Sequence, residues 1–196
     1  MSDIAQIVSP GEDAIFDTLW GFIAALFDPS LSGQIVKANQ NLTPTLLGTY
    51  VIIQPGIKLR QDQGVRTYAL DAGSTAVGRQ NVSRGTQYYY QVDCYGPAAP
   101  DWADTIAIAW RSLWACDYFA SGQDQTGAAL KASIAPLFAD EPQQLTIVNA
   151  EQQYEQRFMT KLYLQANQTV GLIQPFFTAP IGVVLEPPAD IDAGTA

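Results

Sequence analysis

The stretch from Gln87 to Ala120 reads QYYYQVDCYGPAAPDWADTIAIAWRSLWACDYFA. Over its first nine residues Tyr88, Tyr90, Val92 and Cys94 alternate with Tyr89, Gln91, Asp93 and Tyr95. A period of two marks a β-strand. Aromatic rings on both sides predict that both faces are covered. Gly96-Pro97 breaks the strand, and the period then changes. Trp102, Ile106, Ala109, Trp110, Leu113 and Cys116 recur at steps of three and four, the stripe of one amphipathic helix. Asp101, with Asp104 three residues on, reads as the helix cap, and Ser121-Gly122 as its end. Trp102, Trp110 and Trp114 ride on this helix. Each such ring buries roughly 150–250 Å2, which points to core or subunit interface before a ligand cage.

Upstream, Ser9-Pro10 reads as the opening of another helix, with serine as cap and proline in the first turn. Its stripe is Phe16, Leu19, Trp20, Ile23, Leu26 and Phe27, and Asp28-Pro29 ends it. Glu12, Asp13 and Asp17 hold its polar side, where a membrane-surface helix would carry Lys and Arg. Gln34 to Ala38 and Tyr50 to Gln54 read as short strands, the second closed by Pro55-Gly56. Gly64 to Leu70 is expected to pair with it. Residues 71–86, rich in Gly, Ser, Thr, Arg and Asn, read as a long exposed loop.

Downstream, 122–139 reads as a mixed segment with a helical turn at Ala128–Ser133. Leu145–Val148 and Tyr154–Asn167 read as strands. In the second, Tyr154, Phe158, Leu162 and Leu164 alternate with Arg157, Lys161 and Gln165, as in a half-solvated antiparallel strand. The chain beyond Gly171 is proline-rich and ends in an acidic stretch. The expected fold class is therefore α+β: a small, mostly antiparallel sheet packed by two amphipathic helices, with a long loop. One domain is expected over residues 1–170, followed by an extended C-terminal arm over 171–196. Trp20, Tyr88, Tyr90, Trp102, Trp110, Trp114, Tyr154 and Phe158 are the candidate core or interface residues.

Composition narrows the function. The chain has 196 residues, enough to bury roughly 70% of its unfolded surface without a metal or disulfide staple. Charged residues make up 15%, against about 25% in an average soluble domain. Neutral polar residues fill the gap, which fits a surface buried against neighbours. Ten basic residues face nineteen acidic ones, so tight binding of duplex DNA is not expected. A negative wall suits DNA that must slide past. No apolar run approaches the ~18 residues of a membrane span, and the N-terminus lacks a signal-peptide pattern. The expected compartment is cytoplasm-like, with no membrane. Cys94 and Cys116 read as small buried hydrophobes.

The chain contains no histidine, which removes the usual neutral-pH base and the commonest zinc ligand. No phosphate-cradling glycine motif and no GxSxG elbow occur. Asp140-Glu141 and Glu151/Glu155 are the only acid pairs resembling a glycosidase, a chemistry that needs two carboxylates ~5–10 Å apart. Asp93, Asp101 and Asp104 could ligate a hard cation, but the spacing matches no calcium loop and capping accounts for Asp101. The expectation is no catalytic residue, no cofactor and no metal.

Two segments carry a resemblance. QVDCYGPAAPDWADTIAIAWRSLWACDYFA, Gln91 to Ala120, and PLFADEPQQLTIVNAEQQYEQRF, Pro136 to Phe158, resemble the phage neck terminator protein family. Together they span about a quarter of the chain. The resemblance implies a structural virion protein of a tailed bacteriophage, assembled in the host cytoplasm. It implies a homo-oligomeric ring, a hexamer, seated on the tail tube protein. It also implies contacts to a head–tail connector or collar protein and to a sheath protein. DNA would only pass through the lumen, and no residue would be catalytic. Two other readings remain open at this point: another neck or tail ring, such as a connector or tail-completion protein, and a monomeric binding module.

Overall fold

In chain order the computed structural model, which describes residues 6–39, 46, 48–70, 77–121, 134–148 and 154–175, begins with β1 (Gln6–Ser9) and α1 (Glu12–Leu26). A 3₁₀ turn (Pro29–Gln34), β2 (Ile35–Lys37), β3 (Tyr50–Arg60), β4 (Val65–Leu70) and β5 (Val77–Tyr95) follow. Then come α2 (Ala99–Trp110), α3 (Leu113–Ser121), β6 (Ile134–Ala139), β7 (Gln143–Val148) and β8 (Tyr154–Pro175). The fold is α+β, as expected, with one mostly antiparallel sheet.

All 19 residues of β5 pair with β8, from Val77 opposite Pro175 to Tyr95 opposite Arg157. On the outer side of β5, β3 pairs with its C-terminal half and β4 with its N-terminal half. On the outer side of β8 lie β7, β6 and β1 in turn. β2 extends the sheet beyond β3 through the only parallel pairing among the described strands.

The unbroken β5–β8 register fixes the faces, because a strand sends successive side chains to opposite sides. Tyr88, Tyr90, Val92 and Cys94 face the helices, opposite Leu164, Leu162, Thr160 and Phe158. α1 contributes Ile15, Leu19, Phe22 and Ile23 to this core; α2 contributes Ala103, Ile106 and Trp110; α3 contributes Ala115 and Phe119. Phe22 is the hub, with ring centroids 5.3 Å from Trp110, 5.1 Å from Trp114, 5.5 Å from Tyr118 and 5.5 Å from Phe119. Trp110 is 1% exposed and its indole N–H donates to the Tyr163 carbonyl at 3.2 Å.

Several sequence expectations are corrected. Residues 77–86 are not loop: they form the first half of β5, a polar strand held by β4 on one side and β8 on the other. Cross-strand pairing overrides their weak strand propensity. Residues 71–76 lie outside the described residues, as does the helical turn expected at 128–133. The segment to Leu70 pairs with β5 and not with the strand at Tyr50. That strand is not closed by Pro55-Gly56; it continues to Arg60 through a register shift between Pro55 and Lys58. β2 ends opposite Ile53, so the proline falls where only one neighbour remains, which a strand tolerates.

Neither expected cap serves. Ser9 lies in β1 and Gly11 precedes α1; Ala98 precedes α2, leaving Asp101 in the first turn. Acidic residues there still favour the positive end of the helix. The single helix expected to 119 is two, broken at Arg111-Ser112, where the N–H groups of both residues bond back three residues. The break sends Arg111 to the Ala139 carbonyl and to Glu141 at 2.7 Å. It also carries Leu113 and Cys116 out to solvent, so Cys116 is not core. Sequence reading overlooked β1 and β6 altogether, and β8 runs on to Pro175.

Gly96 closes the β5–α2 turn at φ +94°, and a side chain there would meet the Gly48 carbonyl oxygen at 2.5 Å. Only glycine fits both constraints.

Trp110→Ala should cost about 3–5 kcal/mol in denaturant unfolding, because it empties the centre of the ring cluster. Burial pushes the Cys94 thiol up to about 12, so it stays protonated. One thiol per native chain, Cys116, should therefore react with a thiol reagent at pH 8, and two after unfolding.

Candidate functional site

The side of the sheet away from the helices carries Tyr95, Asp93, Gln91, Tyr89 and Gln87 of β5 beside Arg157, Met159, Lys161, Tyr163 and Gln165 of β8. Rings gather at two places. Tyr163 stacks on Phe138 at 4.2 Å and lies 5.7 Å from Tyr89, over which Lys161 sits at 5.8 Å. Nearer the β5 C-terminus, Tyr50 stacks on Tyr95 at 4.8 Å with the Arg157 guanidinium 5.5 Å from the Tyr95 ring. Among the described residues no helix or second sheet covers this face. The expectation that both faces are covered therefore holds only for the helix side within one chain. Phe138 is 48% exposed.

One ion pair on this face is sunk into the sheet. The Asp93 carboxylate is 3% exposed and lies 3.1 Å from Arg157, and it also accepts from the Gln91 amide at 2.8 Å. A buried carboxylate needs such partners, since an unpaired charge in a dry site is costly. The pair fixes the Arg157 side chain across β5 and β8.

The candidate residues divide between core and surface. Tyr88, Tyr90 and Trp110 are core. Trp20 is half-buried and donates to the Ile35 carbonyl at 2.9 Å. Trp102 stacks on Phe27 at 4.4 Å, and Phe158 packs on the rim of the core. Trp114 leans on Phe22 but is 44% exposed. Tyr154 starts β8 opposite Val148. The set thus does not form one site. Sequence reading placed Tyr163 on the polar side of a half-solvated strand but did not join it with Phe138 and Tyr89 into one patch, because alternation does not say which strands lie side by side.

The acid pairs do not converge. Glu141 is held by Arg111, and Asp140 accepts from the Tyr163 hydroxyl at 3.3 Å. Glu151 lies outside the described residues. Glu155 lines an open groove of about 540 Å3 with Leu46, Gly48, Tyr50, Gly96, Pro97 and Gln156, and is the only carboxylate among those residues. Asp93 lies on the bare face of the sheet and Asp101 and Asp104 on the helix that covers the other, so the three cannot share a cation. Among the described residues no cluster of three or more metal-ligating side chains occurs, and no helix is long and apolar enough to cross a membrane.

Among the described residues the sheet face thus carries clustered rings and no assembled reaction centre. A profile of the phage neck terminator protein family matches residues 13–193. The chain belongs to that family. No curated protein matches the sequence significantly. The family is one of structural neck proteins, so the chain is a virion component of the phage neck and associates with other phage tail and head proteins. The match includes β5, β8 and all three helices, the elements that build both faces described above.

Arg157→Ala should destabilise the chain by about 2–3 kcal/mol, since it leaves Asp93 buried without its cation. Asp93→Ala/Arg157→Ala should cost less than the sum of the two single changes, as a double-mutant cycle in urea can measure.

Proposed function

We propose that this neck terminator caps the tail tube as a homo-oligomeric ring, joins it to the head connector and leaves a hole through which DNA passes. The observation that carries the reading is the bare aromatic face of a sheet whose two central strands pair along 19 residues. Rings gathered on an uncovered sheet face, Tyr89 and Tyr163 with the half-exposed Phe138 stacked beside them, are the kind of patch that marks an interaction site. Low charge agrees, because obligate contacts commonly bury ~2,000–5,000 Å2 and shed charged residues from their centre. The acidic balance supports a lumen that repels the DNA backbone.

On this reading the chain acts by shape and adhesion and not by catalysis. The tube end, the connector or collar and, in a contractile tail, the sheath are its neighbours. The absence of histidine and the dispersal of the carboxylates support that view.

Electron microscopy of the purified chain mixed with tail tubes should show rings on tube ends, and tube growth should stop when the chain is added. Phe138→Asp should leave thermal unfolding within a few degrees of wild type yet reduce tube capping. Binding to isolated connectors with bare tube ends would assign the chain to the connector side instead.

A further inference from the structure

The sheet outruns its helices. Beyond Gly85, nine residues of β5 (77–85) continue with β4 and the end of β8, a ribbon about 30 Å long at ~3.3 Å per residue. The helix-facing side of this ribbon carries Arg66 and Tyr68 of β4, Val82 and Arg84 of β5, and Val170 and Leu172 of β8. Tyr68 is 58% and Leu172 40% exposed, and only β5 packs appreciably on β4. The shelf is also the basic part of an acidic chain. Residues 60–85 hold four of the ten basic residues against two of the nineteen acidic ones; of the ribbon's three arginines, Arg66 and Arg84 lie on the helix-facing side and Arg79 on the other. Asp62 is occupied locally, accepting from the Gly64 and Gly85 N–H groups at 2.9 and 3.0 Å, and so braces the junction between ribbon and body.

The outer side of α2 and α3 has the opposite character. Asp101, Asp104 and Ile108 share one exposed side of α2, and Leu113, Trp114 and Asp117 are exposed on α3. Ile108 is 71% and Leu113 75% exposed. Each surface supplies what the other lacks: arginines and apolar groups on the shelf, aspartates and apolar groups on the helices.

We infer that the ribbon shelf of one copy seats the outer face of α2 and α3 of a second copy, with Arg66 and Arg84 meeting Asp101 and Asp104. This inference rests on the ring reading and names the contact that makes the ring. Two different patches meet, so the contact is head-to-tail and propagates until rotation closes it. It also gives the helix-facing side of β4 and the first half of β5 a packing partner, supplied by assembly.

The test is a charge swap read by light scattering, with circular dichroism confirming that each variant folds. Arg66→Glu/Arg84→Glu should weaken association at least about tenfold, as should Asp101→Arg/Asp104→Arg, because like charges then face each other. Combining all four changes should restore assembly to near the wild-type level. If wild type forms rings and either reversal leaves them intact, or the combination is no better than each reversal alone, the contact is wrong and the ring reading stands. A wild type that stays monomeric alone and with tail tubes defeats the ring reading and the contact together. Tighter assembly after removal of residues 186–196 would make the chain's own acidic end the occupant of the shelf and overturn the proposal. Salt-sensitive binding of a DNA duplex, lost in Arg66→Glu/Arg84→Glu while rings persist, would give the shelf to DNA and overturn it equally.

Discussion

The structure depends on the antiparallel pairing of β5 with β8 along the whole of β5. The two strands are separated by some sixty residues of sequence, which include α2, α3, β6 and β7, yet they form the centre of the sheet. Because the register has no bulge, every side chain on both strands is committed to a face. That commitment places Tyr88, Tyr90, Val92, Leu162 and Leu164 under the helices and Tyr89, Tyr95 and Tyr163 on the bare side. A slip of one residue would exchange the two sets and bury Asp93, Lys161 and Gln91 in the core.

The helices then exploit one half of this platform. Phe22, Trp110 and Phe119 form a ring cluster that joins all three helices, and Tyr90, Leu162 and Leu164 form its floor. Full burial of each such side chain contributes roughly 1.5–3 kcal/mol. Exposed ion pairs such as Lys58–Glu12 and Lys37–Asp13 pin the start of α1 to β3 and β2 but add little, as surface pairs do. Among the described residues the other half of the platform has no such cover, and the junction at Gly85 and Asp62 marks where the helix-covered part ends.

A neck protein needs a rigid frame with adhesive surfaces more than it needs reactive groups. The frame is the helix-covered half. The surfaces proposed to adhere are the aromatic sheet face, the ribbon that carries Arg66 and Arg84, and the acidic outer side of α2 and α3. Their separation onto different parts of one chain is what a head-to-tail assembly requires, since each patch must be free to meet a different one on its neighbour.

The sequence by itself determined the parts whose signal is local. The alternation from Tyr88 to Cys94 placed the strand and its two faces, the stripe from Phe16 to Phe27 placed α1, and the Gln91–Ala120 and Pro136–Phe158 segments pointed to the family. Only the tertiary structure decided the rest. The strand at 77–86 has no apolar alternation because its pairing comes from β4 and β8, both remote or turned back upon it. The break at Arg111-Ser112 coincides with Arg111 reaching across to β6 and Glu141, contacts that helical periodicity does not encode. Burial of Cys94 and exposure of Cys116, identical residues in similar apolar company, likewise follow from which side of an element meets the core. Period reveals that a strand or helix has two sides, whereas which side is covered is a property of the packed whole.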